Sequence, residues 1–206
     1  MGRSVVFKFF LCIAVSFACT VSFAEQLPPV KWPEKSAVAW QTSKTMFLFK
    51  EEQPVGISTD VVATLESNSG NHVLIVTVPV KSFDSGEEER DAEVKKILKA
   101  DKQENIVFRS EPVQTIEWQD LISGNTSSLK GQLSIGGNAY PTLFQVLRQG
   151  KGEQAKLEGR LETTFTDFEI EPPSVAAGLV AKVDDKLILH SQLFLKDIYG
   201  LEIEAP

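Results

Sequence analysis

KLEGRLETTF, residues 156–165, alternates without a break. Leu157, Gly159, Leu161, Thr163 and Phe165 fall on one side of an extended chain, and Glu158, Arg160, Glu162 and Thr164 on the other. A period of two turns one row toward a core and the other toward water, the pattern of antiparallel sheet with one wet face. The pattern recurs at 187–195, where Leu187, Leu189, Leu193 and Leu195 share a face that Ser191 interrupts. Leu133 and Ile135 repeat it between Gln132 and Ser134. Further apolar or β-branched runs predict strands at 45–49, 61–65, 73–80, 106–108, 116–121, 129–135 and 143–147. Asn68-Ser69-Gly70-Asn71 is the strongest hairpin turn between them, and Pro79 suits a strand end or edge. About eight strands in one chain of this kind predict an all-β barrel or sandwich.

One stretch breaks the period. In KSFDSGEEERDAEV, residues 81–94, the chain passes Gly86 into a dense acidic run, and Val94, Ile97 and Leu98 then recur at i, i+3, i+4. Glu89, Lys95, Lys96 and Lys99 can face water, so residues 87–100 read as a short amphipathic helix. Acidic residues in its first turn and lysines toward its end match the helix dipole, and Asp84 or Ser85 is the expected cap.

Residues 1–24 are set apart from the fold. Arg3 and Lys8 precede an apolar run, and Ser22-Phe23-Ala24 supplies small residues where a leader peptidase needs them. This predicts a secretory signal peptide cleaved after Ala24. Both cysteines, Cys12 and Cys19, lie inside it, so the mature chain has no disulfide and depends on its apolar core. Residues 25–36, with Pro28, Pro29 and Pro33, form an extended lead-in, and residues 37–206 a single domain. Loss of Arg3 and Lys8 takes the net charge from −7 to −9, with 19 basic residues against 28 acidic. That argues against nucleic acid or an anionic membrane as partner. No other segment is long and apolar enough for stable membrane insertion.

The residues offer little to catalysis. His72 and His190 are the only histidines; His72 sits beside the hairpin turn, and His190 is expected exposed or at a strand edge. Neither comes with an orienting partner in sequence, and no serine has a nucleophile-elbow context, so no catalytic residue and no enzyme activity are assigned. No histidine pair or calcium loop points to a metal, and the run Glu87, Glu88, Glu89, Asp91 and Glu93 reads as a solvated helix start. Asn125-Thr126-Ser127 fits a glycosylation acceptor. Binding is left. Beyond residue 24 the chain keeps eight phenylalanines, and Phe47, Phe49, Phe108 and Phe165 lie on separate strands where they could face a barrel interior or simply pack a core.

The segment Phe83-Asp84-Ser85-Gly86-Glu87-Glu88-Glu89-Arg90-Asp91-Ala92-Glu93-Val94 resembles the YceI family of exported, lipocalin-like proteins, in which a strand ends in Thr-Gly-x-x-x-Arg-Asp-x-His-Leu. Ile106-Val107-Phe108-Arg109-Ser110 is similar to the strand that follows in that family. The stretch from Lys130 through Gly136-Gly137 to Pro141 resembles its glycine-bearing hairpin, and Phe165-Thr166-Asp167-Phe168-Glu169-Ile170 its segment before the last strands. The resemblance spans about residues 40–195. It implies an eight-stranded antiparallel lipocalin-like barrel, one short helix over an opening, and a cavity for an amphiphile: a polyisoprenoid, an isoprenoid quinone or a fatty-acid-like lipid. It implies no catalysis and no cofactor beyond such a ligand. The expected cavity wall is Phe47, Phe49, Phe108, Leu133, Ile135, Phe165 and Leu193. At the rim, Arg90 and Asp91 either meet a polar head group or pair with each other and fix the helix, and the second reading is preferred. Glu93 stands where the family has histidine, and the aromatic run after the helix is replaced by Ile97 to Glu104, so the mouth departs from the family pattern. The expected protein is a periplasmic or secreted carrier of a hydrophobic small molecule, with a homodimer left open. The alternative is a structural or interaction protein with the same fold and a filled barrel.

Overall fold

The structure is a computed structural model that describes residues 29–46, 50–125, 127–175 and 181–201. The leader with its two cysteines and Ala24, the Phe47 and Phe49 positions and Thr126 of the acceptor triplet lie outside these residues. In chain order the elements are β1 (Ala37–Met46), β2 (Lys50–Glu52), β3 (Val55–Ser58), β4 (Val62–Asn68), β5 (Asn71–Pro79), α1 (Glu88–Ile97), β6 (Asn105–Ser110) and β7 (Val113–Gln114). Then follow α2 (Thr115–Ser123), β8 (Ser127–Ile135), β9 (Asn138–Gln149), β10 (Lys156–Thr164), β11 (Ser174–Val175), β12 (Ala181–Phe194) and β13 (Ile198–Tyr199).

Among the described residues these strands make one curled sheet in the order β13-β4-β5-β6-β8-β9-β10-β12-β1-β2, with β3 on β1, β7 on β5 and β11 on β12. The expected count of eight strands is not matched: the described residues form thirteen, eight of them six residues or longer. The five added ones, β2, β3, β7, β11 and β13, are two to four residues long. Antiparallel pairing is not universal either. β13 runs parallel to β4 through Ile198↔Ala63 and Tyr199↔Thr64, and so occupies the edge of β4 that a closing antiparallel partner would need. On the side of β1 away from β12, β3 pairs with β1 and exchanges two backbone hydrogen bonds with Asp84, in the segment after β5, at 2.9 and 3.0 Å.

The alternation read at 156–165 holds. Leu157 and Gly159 are buried while Arg160 and Glu162 are exposed, and β10 pairs with β12 along its length and with β9 from Lys156 to Arg160. The β4–β5 hairpin turns at Ser69 and Gly70, whose φ values of 49° and 81° lie in the left-handed region that a tight hairpin uses. The outward face of β12 departs from the one-wet-face expectation: Ile188, Gln192 and Phe194 are all buried. The proline-bearing lead-in lies over the last two. The Gln192 amide donates to the carbonyls of Pro33 and Lys35 at 2.9 and 3.0 Å, and the Phe194 amide donates to Ser36 Oγ at 2.9 Å.

Two helices are present where one was expected. α1 falls within the 87–100 reading, with Val94 buried and acidic residues in its first turn. Neither expected cap acts as one: the N-cap is Glu87 without a side-chain bond, Asp84 Oδ1 accepts from the Gly86 amide, and Ser85 is tied to Asp91. The second helix, α2, replaces the strand expected at 116–121. Trp118, Leu121 and Ile122 recur at i, i+3, i+4, and Trp118 and Leu121 are fully buried while Ile116 is exposed. Gly124, at φ 110°, ends the helix in the left-handed conformation.

The two helices lie at opposite ends of the sheet. α1 connects the end of β5 to the start of β6, and α2 connects the far side of β6–β7 to the start of β8. Since β5, β6 and β8 are successive antiparallel neighbours, those two connections cannot share an end.

Candidate functional site

Inside the curl is a cavity of about 630 Å³. Every long strand but β4 contributes to its wall, and period-two alternation decides which residues do so. Leu74, Val76 and Val78 of β5 face inward, as do Leu129, Leu133 and Ile135 of β8 and Leu187, Leu189 and Leu193 of β12. Phe108 on β6 meets Phe144 on β9 edge to face, with ring centroids 5.2 Å apart. Phe165 and Phe168 reach the wall through a tight turn after β10. There Asp167 Oδ2 accepts from Thr163 Oγ1 at 2.8 Å and from the Thr164 amide at 2.9 Å, and these bonds hold its carboxyl below the ordinary value. Tyr140 stacks edge-on against Phe168 at 5.4 Å.

Of the expected wall residues, Phe108, Leu133, Ile135, Phe165 and Leu193 all line this cavity, while Phe47 and Phe49 fall outside the described residues. The sequence reading missed Trp40, Phe83, Phe144 and Phe168, which line it as well. Only pairing in the fold places Phe144, which stands opposite Leu129 in the β8–β9 hairpin. Trp40 sits over Gly56 of β3, where any Cβ would collide with the indole. That close approach explains the glycine.

The mouth is built by α1. Glu87, Glu89, Arg90, Glu93 and Lys96 border the cavity there, with Lys44 of β1. Arg90 does not pair with Asp91, as one reading had it. Its guanidinium meets Glu87 Oε1 at 2.5 Å and donates to the Ser85 carbonyl at 3.3 Å. Asp91 does not line the cavity; it accepts from the Ser85 amide at 3.0 Å and from its hydroxyl at 2.6 Å. Glu93 reaches Lys96 at 3.7 Å. Beyond α1, Gln103 donates to the carbonyls of Asn105 and Ser134 and accepts from the Gly137 amide at 2.7 Å, joining the segment after α1 to the β8–β9 hairpin. A mouth of paired charges over an apolar interior suits a molecule with one polar and one apolar end.

The histidines depart from expectation. His190 is neither at an edge nor exposed: β12 lies between β1 and β10, and the imidazole is half-buried beside Trp32 with Nε2 3.0 Å from Gln41 Oε1. Burial, with the Arg160 charge assisting, lowers its pKa to about 4, against a smaller opposing influence from Glu162. His72 lies between Ser67 Oγ at 2.8 Å and Thr115 Oγ1 at 3.1 Å. Hydroxyls and an amide, not carboxylates, orient the two rings. Among the described residues no three His, Cys, Asp or Glu gather as a metal site, and no helix is long and apolar enough to cross a membrane.

Comparison with known proteins places this architecture. Burkholderia cenocepacia BcnA is similar at 17% identity and a TM-score of 0.56, over 76% of this chain and 94% of its own. A polyisoprenoid binding domain from Saccharophagus degradans, implicated in plant cell wall breakdown, is similar at 13% identity and a TM-score of 0.52, over 77% of this chain and 95% of its own. At these identities the likeness is one of fold. No curated protein matches the sequence. A family model for the YceI-like domain matches residues 32–193, most of the chain, and the chain therefore belongs to the YceI-like family.

Proposed function

We propose that this protein binds a long-chain amphiphile, a polyisoprenoid, an isoprenoid quinone or a fatty-acid-like lipid. The tail would lie in the cavity and the polar end among the charges of α1. The observation that carries this reading is an interior of about 630 Å³ walled by leucine, valine and phenylalanine. A filled barrel would have no such space. The Saccharophagus degradans neighbour, a polyisoprenoid binding domain, supports the same ligand class. Transfer of a tail from water stabilises the complex by about 25 cal/mol for each Å² buried. The wall that would do this includes Phe108, Leu133, Ile135, Phe165 and Leu193. Arg90 and Glu93 border the polar end, while Asp91 holds the segment before α1 in place. The expected leader, cleaved after Ala24, makes the protein a periplasmic or secreted carrier.

Native mass spectrometry of protein purified from its own host without detergent tests the proposal. A bound lipid mass released on collisional activation is the expected result. A clean apo mass, with no uptake of quinone or fatty acid, would overturn it.

A further inference from the structure

The end of the sheet away from α1 is covered by the helix the sequence reading did not foresee, α2, which packs on β5 and β9. Leu74 of β5, Leu129 of β8 and Leu157 of β10 form the inner layer of the cavity, each within three residues of the strand end opposite α1. All three belong to the same core cluster as Trp118 and Leu121 of α2, and neither of those two lines the cavity. Trp118 is 3% exposed and Leu121 2% exposed, so both are packed on every side. The interior therefore runs from the charged rim of α1 to an apolar floor backed by α2.

We infer that α2 acts as a chain-length stop, with Trp118 and Leu121 fixing how much of a tail the cavity accepts. This rests on the amphiphile reading above and adds a limit to it. A methylene in a packed liquid takes about the volume of a water molecule, about 30 Å³. A cavity of about 630 Å³ thus holds a tail of about twenty carbons. Carbons beyond that number stay at the mouth in water, where they add nothing to binding.

Competition native mass spectrometry with equimolar saturated fatty acids of about ten to thirty carbons reads the limit directly. Occupancy is expected to rise by up to about fourfold per added methylene and then to level off near twenty carbons. Trp118→Ala deepens the floor and is expected to move that break upward by about four carbons. Leu129→Trp fills the inner layer from the other side and is expected to move it downward by about two carbons. The second variant adds bulk to empty space and checks that depth sets the break; Trp118→Phe, a smaller cut in α2 expected to move the break upward by about one carbon, decides the matter if Trp118→Ala fails to fold. Affinity that keeps climbing to the longest acid would overturn the stop, as would a break that stays fixed in the folded variants. Failure of every acid to bind would instead overturn the amphiphile reading on which the stop depends.

Discussion

The two helices are almost equal in length, ten residues for α1 and nine for α2, and they close the same sheet at its two ends. They do so by opposite means. α2 sinks Trp118 and Leu121 into the core, and burial of large apolar side chains is worth about 1.5–3 kcal/mol each. α1 turns its apolar stripe toward a cavity; Val94 is its one buried residue, and its ion pairs keep Glu87, Glu93 and Lys96 exposed, with Arg90 half-buried. Exposed pairs of that kind contribute about 0–1 kcal/mol. One end is held by packing and the other by a few polar contacts around an opening. The difference assigns stability to the floor and access to the mouth.

The largest expected effect lies at the floor. Leu121→Ala leaves a cavity in packed core and should cost about 2–5 kcal/mol, read as a shift of the urea midpoint at constant slope. Val94→Ala, on the stripe that faces open space, should cost about 1 kcal/mol. Equal costs at the two ends would break the comparison. Midway between them, Phe108→Trp puts added volume into the space beside Phe144. It should lower affinity for a fatty acid at least about tenfold, near 1.4 kcal/mol, with a smaller effect on unfolding. A loss of stability without loss of binding would mean that the ring packs core and does not border a site.

Most of the sheet was legible because alternation is local. Leu157, Leu133, Ile135 and Leu193 carry their orientation in their immediate neighbours, and they lie where the period puts them. Run 143–147 carries no such information, since Leu143, Phe144, Val146 and Leu147 are all apolar and only pairing with β8 decides that Phe144 turns inward. α2 was missed because Ile116 and Leu121 bracket a short run that reads like a strand until Trp118 is counted at helical spacing. The parallel β13–β4 pair was beyond reach, as it depends on contact between residues far apart in sequence. Whether the interior is hollow is illegible for a simpler reason. Filled and empty barrels share one alternation, and they differ only in how the side chains sum to fill the space.

Acid acts on the wall between the ends. The His190 pKa is lowered from 6.5 in the unfolded chain to about 4 in the fold, first by burial and then by Arg160. The unfolded chain therefore binds more protons in that interval. Stability should be complete above pH 6.5 and fall as pH drops toward 4. The loss should be about 1 kcal/mol, reduced from the full linkage value because the ring is only half-buried. Chemical denaturation from neutral pH to pH 4 measures it, and His190→Gln should flatten the profile over this range. An unchanged slope in the variant would place the acid sensitivity elsewhere.

The smallest effect belongs to the mouth, and it is the one that tests access. Asp91 accepts twice from Ser85 and so fixes the segment through which the chain enters α1. Asp91→Asn keeps an acceptor oxygen in the same place but removes a negative charge from the first turn of the helix, a change worth about 0.5 kcal/mol. Such a loss barely moves a denaturation midpoint. If α1 governs entry, the same loss should appear in kinetics, because the helix then loosens more often while the floor stays packed. Stopped-flow displacement of a fluorescent fatty acid should show release about twofold faster, with an equilibrium stability within about 0.5 kcal/mol of the parent. Slower release, or faster release matched by a large loss of stability, would mean that α1 is part of the packed fold and that the two ends do not divide the work.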